Sequence, residues 1–215
     1  MTAALRDEIC RIGASLFARG HAHATAGNIS VRTGTGYLIT PTDACLGTLE
    51  PSRLAEVDDD GTQVGGDRAS KTLALHRRIY DADPDARCVI HTHATHCVAL
   101  TLAGVWHIDD VVPPITPYFV MKVGHVPLIV YRRPGDPLAA DEVAHKIIAQ
   151  RERGAPIRAV LLDRLGPVVW HASPSEASTV LEELEETARL WLMHRPSPIG
   201  AEQIEELRAH FGARW

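Results

Sequence analysis

At 215 residues, with 45% hydrophobic and 23% charged side chains, the chain is long enough to build one well-packed core and too apolar for a disordered protein. Its 22 Lys and Arg against 27 Asp and Glu give a net charge of −5, with no basic run longer than Arg132-Arg133, which excludes a nucleic-acid or anionic-membrane surface. Cys10, Cys45, Cys88 and Cys97 show no C-x-x-C spacing, Arg6, Asp7 and Glu8 sit where a leader peptide would be apolar, and no run nears the roughly 18 apolar residues of a membrane span. A reduced, cytoplasmic, single-domain protein is expected.

Leu5, Ile9, Ile12 and Leu16 step by four, three and four, the period of an amphipathic helix, with Gly20 placed to end it. Short strands are expected at Asn28 to Arg32 and Tyr37 to Thr40 around a Gly34-Thr35-Gly36 turn. Thr40-Pro41-Thr42-Asp43 reads as a loop, and Asp58-Asp59-Asp60-Gly61 as a solvated turn between strands. Ser70 is placed to cap a helix carrying Leu73, Leu75, His76, Ile79 and Tyr80 that stops before Asp83-Pro84. Cys88-Val89-Ile90 reads as a buried strand leading into His91-Thr92-His93, after which Thr95 starts a helix ended by Gly104. Val126 to Tyr131 and Arg158 to Leu162 are expected as strands separated by a helix from near Pro137, with Val168 to Trp170 as a third. A helix from Ser175 carries Val180, Leu181, Leu184, Leu190 and Trp191 as its apolar side and Glu182, Glu183, Glu185 and Glu186 as its solvated side. Mixed helices and strands with short connections give an α/β domain with a mainly antiparallel sheet.

Two constellations carry chemistry. His91 and His93 are i and i+2 on an extended segment, so both imidazoles project from one face and can share a cation; His96 follows closely. Thr25-Ala26-Gly27-Asn28-Ile29-Ser30, Thr40-Pro41-Thr42 and Ser70-Lys71 combine exposed backbone N–H groups, hydroxyls, an amide and a lysine beside a helix start, a set that suits an anion such as phosphate.

With Gly27-Asn28-Ile29-Ser30-Val31-Arg32, Ile39-Thr40-Pro41-Thr42, Ser70-Lys71 with His76, and Ile90-His91-Thr92-His93-Ala94-Thr95-His96, the chain resembles the class II aldolase/adducin-domain family over nearly its whole length, 1–215 as one domain. Ile115-Thr116-Pro117-Tyr118, Val120-Met121, Val126-Pro127-Leu128, Arg133-Pro134-Gly135-Asp136 and the Leu181 to Ala188 stretch are similar to its 3-oxo-tetronate 4-phosphate decarboxylase branch. The resemblance implies an antiparallel sheet flanked by helices, a homotetramer, and a divalent metal, zinc or another such as manganese, near a subunit boundary. It implies a carbon–carbon lyase that releases CO2 from a sugar-acid phosphate through an enediolate and yields dihydroxyacetone phosphate.

Carried over by position, His91 and His93 match metal ligands; Thr25, Gly27, Asn28, Thr42, Ser70 and Lys71 match the phosphate region; and Tyr118 matches a site-lining position. Two positions depart. Arg164-Leu165-Gly166-Pro167 stands where the family has Asn-His-Gly-Pro, and Ser70-Lys71-Thr72 stands where it has Ser-x-Glu, so Thr72 occupies the acid/base position with a hydroxyl that transfers protons poorly. His96 and His125 are candidates to complete the metal sphere, and Arg164 could hold a carboxylate or phosphate in bidentate fashion. Cys97 reads as a buried apolar residue. Two other functions fit the same residues: a sugar-phosphate aldolase of the fuculose or ribulose phosphate type, and a catalytically degenerate adducin-like binding module.

Overall fold

The computed structural model describes residues 2–215. Helix α1 (Thr2–Ala18) precedes strands β1 (Asn28–Arg32), β2 (Gly36–Ile39), β3 (Ala55–Asp58) and β4 (Gln63–Gly65). Helix α2 (Leu73–Ala82) and β5 (Cys88–His91) lead to α3 (Thr95–Ala103), α4 (Pro117–Lys122) and β6 (Leu128–Ile129). Helix α5 (Pro137–Glu152), β7 (Ala159–Leu162), β8 (Gly166–His171), α6 (Pro174–His194) and α7 (Ala201–Phe211) complete the chain.

The strands form one eight-stranded sheet in the order β4-β3-β2-β1-β5-β8-β7-β6. Among the described residues, β6 and β7 run parallel and the other pairings are antiparallel, so the α/β, mainly antiparallel architecture read from the sequence is the one observed. Four differences are local. The strand expected over Val126 to Tyr131 shrinks to two residues, α2 begins at Leu73 rather than just after Ser70, and α4 and α7 were not anticipated. Helix α6 starts at Pro174, because the Ser173 hydroxyl accepts from the Glu176 N–H.

Strand periodicity of two places the site. Ile29 and Val31 of β1, Cys88 and Ile90 of β5, and Val169 of β8 point into one core with α1, α3 and α6; Val89, Val168 and Trp170 point into the other with residues of α2 and α5. Asn28, Ser30 and His91 lie on the α2 side by the same alternation, and Asn28 pairs directly with His91 across β1 and β5. There the buried Ser30 hydroxyl lies 2.7 Å from both His76 Nδ1 and the Tyr80 hydroxyl.

The solvated reading of the glutamates on α6 fails at Glu185, which is 4% exposed. Ala94, at the N-cap of α3, has no side-chain acceptor. The Glu185 carboxylate takes that role from α6, accepting from the backbone N–H groups of His96 at 2.8 Å and Cys97 at 2.9 Å and contacting His96 Nδ1 at 2.9 Å. A charge is tolerated in the core because two open helix donors and the positive end of the helix meet it there.

Candidate active site

The C-terminal end of β5 and the turn after it are held from two sides. Gly27, at φ +96°, lies so close that a Cβ there would come within 2.9 Å of the His91 carbonyl. Gly166, at φ +119°, presses on the other side, where a Cβ would collide with the Thr92 carbonyl and lie 3.1 Å from His93 Cα. The Pro167 carbonyl accepts from the Thr92 N–H at 3.3 Å and from His91 Nδ1 at 2.9 Å. Because a carbonyl only accepts, Nδ1 of His91 carries the proton and Nε2 keeps its lone pair.

Electrostatics hold the same state. Burial pushes His91 down to about 4, with His93 adding to the effect against the Pro167 hydrogen bond. Burial, with His23 beside it, also lowers His93. A buried imidazole resists charging because water no longer solvates the cation. The ring centres of His91 and His93 are 5.1 Å apart. Two imidazoles on adjacent corners of a tetrahedral zinc hold their centres about 5 Å apart, so this pair fits two corners of a divalent cation, with the backbone bond to Pro167 supplying the outer support typical of a metal-ligating histidine. No third His, Cys, Asp or Glu completes a metal-holding group among the described residues.

Both imidazoles open into a cavity of about 260 Å³, also lined by Asn28, Lys71, Thr72 and Leu165, a volume suited to a small metabolite. Leu165 thus faces the histidine pair with an apolar side chain. Thr72 faces it with a hydroxyl 2.8 Å from that of Ser70. The amide oxygen of Asn28 is buried without a partner among the described residues, and the residue lines the cavity, where the amide N–H is the group able to donate to an anion. The far wall brings Arg132, Arg133, Asp136 and Asp163, of which Asp136 already accepts from the Leu138 N–H as the cap of α5.

The other residues singled out from the sequence fall elsewhere. Ser70 touches the cavity only through Thr72, Gly27 acts by its backbone, and Thr25 is exposed on the turn before β1. Thr42 lines a separate, wider depression of about 500 Å³ beside Arg53 and Arg68. Arg164 lies outside the cavity lining; its backbone is fixed at φ +61° and its N–H bonds the Thr101 hydroxyl at 3.0 Å. Tyr118, 61% exposed on α4, is likewise outside it. Neither candidate to complete the metal sphere reaches the pair: His96 is tied to Glu185, and His125 is bonded to Asp110 at 2.8 Å and stacked on Trp215. Sequence reasoning passed over Asp163, which has no motif around it. It also passed over His23, although His21-x-His23 repeats the spacing of His91-x-His93.

The chain is similar to known proteins along nearly its full length. It is 57% identical, over 98% of its own residues and 97% of the relative's, to the 3-oxo-tetronate 4-phosphate decarboxylase of Cupriavidus necator. The crystal structure of YgbL from Escherichia coli superposes with a TM-score of 0.87 at 42% identity, covering 96% of this chain and 99% of that one. L-fuculose-1-phosphate aldolase from Thermus thermophilus superposes at 0.75 with 31% identity, covering 91% and 96%. With residues 7–192 matching its family model, and with the sheet and histidine turn described above, the chain belongs to the class II aldolase and adducin N-terminal domain family.

Proposed function

We propose that the chain is a carbon–carbon lyase that decarboxylates 3-oxo-tetronate 4-phosphate to dihydroxyacetone phosphate and CO2. The observation that carries the choice is the 57% identity with the Cupriavidus necator decarboxylase across both chains. The cavity agrees with it chemically. A 3-oxo acid carries its own electron sink: as the carboxylate leaves, the bonding pair flows onto the ketone oxygen as an enediolate, and no protein base has to remove a proton first. Aldol cleavage does require a base at the substrate hydroxyl, and position 72 offers only a threonine hydroxyl.

Lys71 and the Asn28 amide hold the phosphate. On the opposite wall Arg132, 3.4 Å from Glu142, and Arg133, 3.9 Å from Asp136, are the guanidinium groups that meet the substrate carboxylate, so the substrate lies across the histidine pair with both anionic ends held. His91, through Nε2, and His93 would hold a divalent cation, zinc or manganese, which supplies Lewis acidity to the ketone oxygen when bound. The Thr72 hydroxyl, positioned by Ser70, orients a substrate hydroxyl, and solvent returns a proton to the carbon that lost CO2. As a cytoplasmic homotetramer, the molecule would bring Tyr118 of one subunit toward the site of another.

The test is release of dihydroxyacetone phosphate from 3-oxo-tetronate 4-phosphate by purified protein supplied with zinc or manganese, read by a coupled reductase. Turnover well above that of a His91→Ala control is expected; turnover equal to the control overturns the proposal.

A further inference from the structure

The end of the sheet away from the histidine turn holds another cavity, of about 160 Å³, that shares no lining residue with the first. Val168 of β8 pairs with His91 at one end of β5, and His171 pairs with Cys88 at the other, a separation of about 10 Å along the strand. Arg158, just before β7, and Arg214, just after α7, line this cavity together with His171. The Arg158 carbonyl is fixed by the Trp170 N–H at 2.9 Å, so its side chain starts from a rigid strand end.

These two guanidinium groups lack an anion. Arg158 is half-buried, yet its guanidinium reaches only the Lys122 carbonyl, at 3.5 Å. Burial, and Arg214 beside it, hold Arg158 below the usual arginine range. The carboxylates nearby are engaged elsewhere among the described residues. Asp83, 6% exposed, accepts from Trp170 Nε1 at 2.9 Å and from Arg151 Nη1 at 2.7 Å, and Asp85 lies 3.4 Å from the same Arg151 nitrogen. Glu176 meets His171 Nδ1 at 3.2 Å and the Ser173 hydroxyl at 2.9 Å. Withdrawing a guanidinium from water next to a like charge costs free energy that a hydrogen-bonded anion offsets. One carboxylate answers one guanidinium fork, whereas two neighbouring guanidiniums match a dianion with oxygens on several sides. We propose that Arg158 and Arg214 form an anion site, separate from the histidine cavity, for a small tetrahedral oxyanion: inorganic phosphate or the phosphate group of a short ester. The volume suits such a group and falls below the roughly 300 Å³ at which pockets begin to hold larger ligands.

Calorimetric titration with inorganic phosphate, in chloride buffer of matched ionic strength, tests the site in a Lys71→Ala background that weakens phosphate binding at the histidine cavity. One phosphate per chain is expected to bind in that background. Adding Arg214→Gln, at an exposed position, should weaken binding by about 10-fold or more, as loss of a charge-assisted hydrogen bond does. Arg158→Gln should do the same, and Arg214→Lys, which keeps the charge and loses the fork, should fall between. Crystals soaked in tungstate should show anomalous density between the two guanidiniums and lose it in Arg214→Gln. If the Lys71→Ala protein takes up no phosphate, or takes it up equally with and without Arg158→Gln and Arg214→Gln, the site is overturned. If phosphate does not bind and Arg214→Gln instead lowers the sedimentation coefficient, the guanidiniums pair with carboxylates of a second copy, and the oxyanion proposal is overturned as well.

Discussion

Thr72 and Leu165 sit on the wall of the cavity that holds His91 and His93, and neither contributes a strong donor to it. Both are close enough that a longer polar side chain from either would enter the same space. Replacing Leu165 with His and Thr72 with Glu together should therefore tighten zinc binding by about 10- to 100-fold, checked by chelator competition, with each single variant intermediate. The histidine pair itself was legible from sequence because i and i+2 spacing on an extended segment fixes a shared face. The residues that surround it were legible only in part. Asn28 and Lys71 announced themselves by residue type, whereas Asp163 and His23 reach the site region through turns whose direction no local pattern encodes. Arg164 shows the opposite error: its chemistry is suitable, but its N–H is anchored to Thr101 and its side chain stays outside the cavity.

At the scale of an element, α3 depends on a side chain 88 residues away for its first turn. Glu185→Ala would strip the acceptor from two backbone donors at the start of the helix that follows the histidine turn. It should lower stability by on the order of 3 kcal/mol, seen as a drop in the midpoint of thermal or urea unfolding, while Glu185→Gln, which keeps one acceptor oxygen, should lose less. The run Leu181-Glu182-Glu183-Leu184-Glu185-Glu186 explains why sequence missed this: helical periodicity places Glu185 among glutamates, and only the position of α3 in space reveals that one of them faces inward. The strands were easier, since Val89-Ile90 and Val168 to Trp170 are continuous apolar runs of the kind that central strands buried on both faces require. Helices α4 and α7 were harder. Six residues starting at Pro117 are too few to establish a period, and α7 buries Leu207 alone.

For the molecule as a whole, two buried histidines couple stability to acid. Burial holds His91 at about 4 and His76 at about 3, both below the 6.5 of an exposed histidine. Their folded-state pKa values are depressed, so the unfolded chain binds more protons below 6.5. The stability they protect is complete above that pH, declines as pH falls through the window from 6.5 toward 3 to 4, and is not lost further below it. The unfolding midpoint should accordingly fall between pH 7 and pH 5, and His76→Asn should flatten that dependence even though it lowers stability at neutral pH. The outer surface also carries Trp106, Ile108, Tyr118 and Tyr131 exposed. If subunits assemble as proposed, light scattering should give four chains per particle, and Tyr118→Ala should reduce turnover while leaving zinc affinity intact; a monomer in solution would remove Tyr118 from the site.

Gly27 and Gly166 clamp the backbone of the histidine turn from opposite sides, with no room at either for a methyl group. The backbone from which the two rings project is thus set by main chain, whatever side chains surround it. Substitutions at the facing positions, Leu165 and Thr72 among them, therefore change the chemistry offered to the pair without moving the turn that carries it.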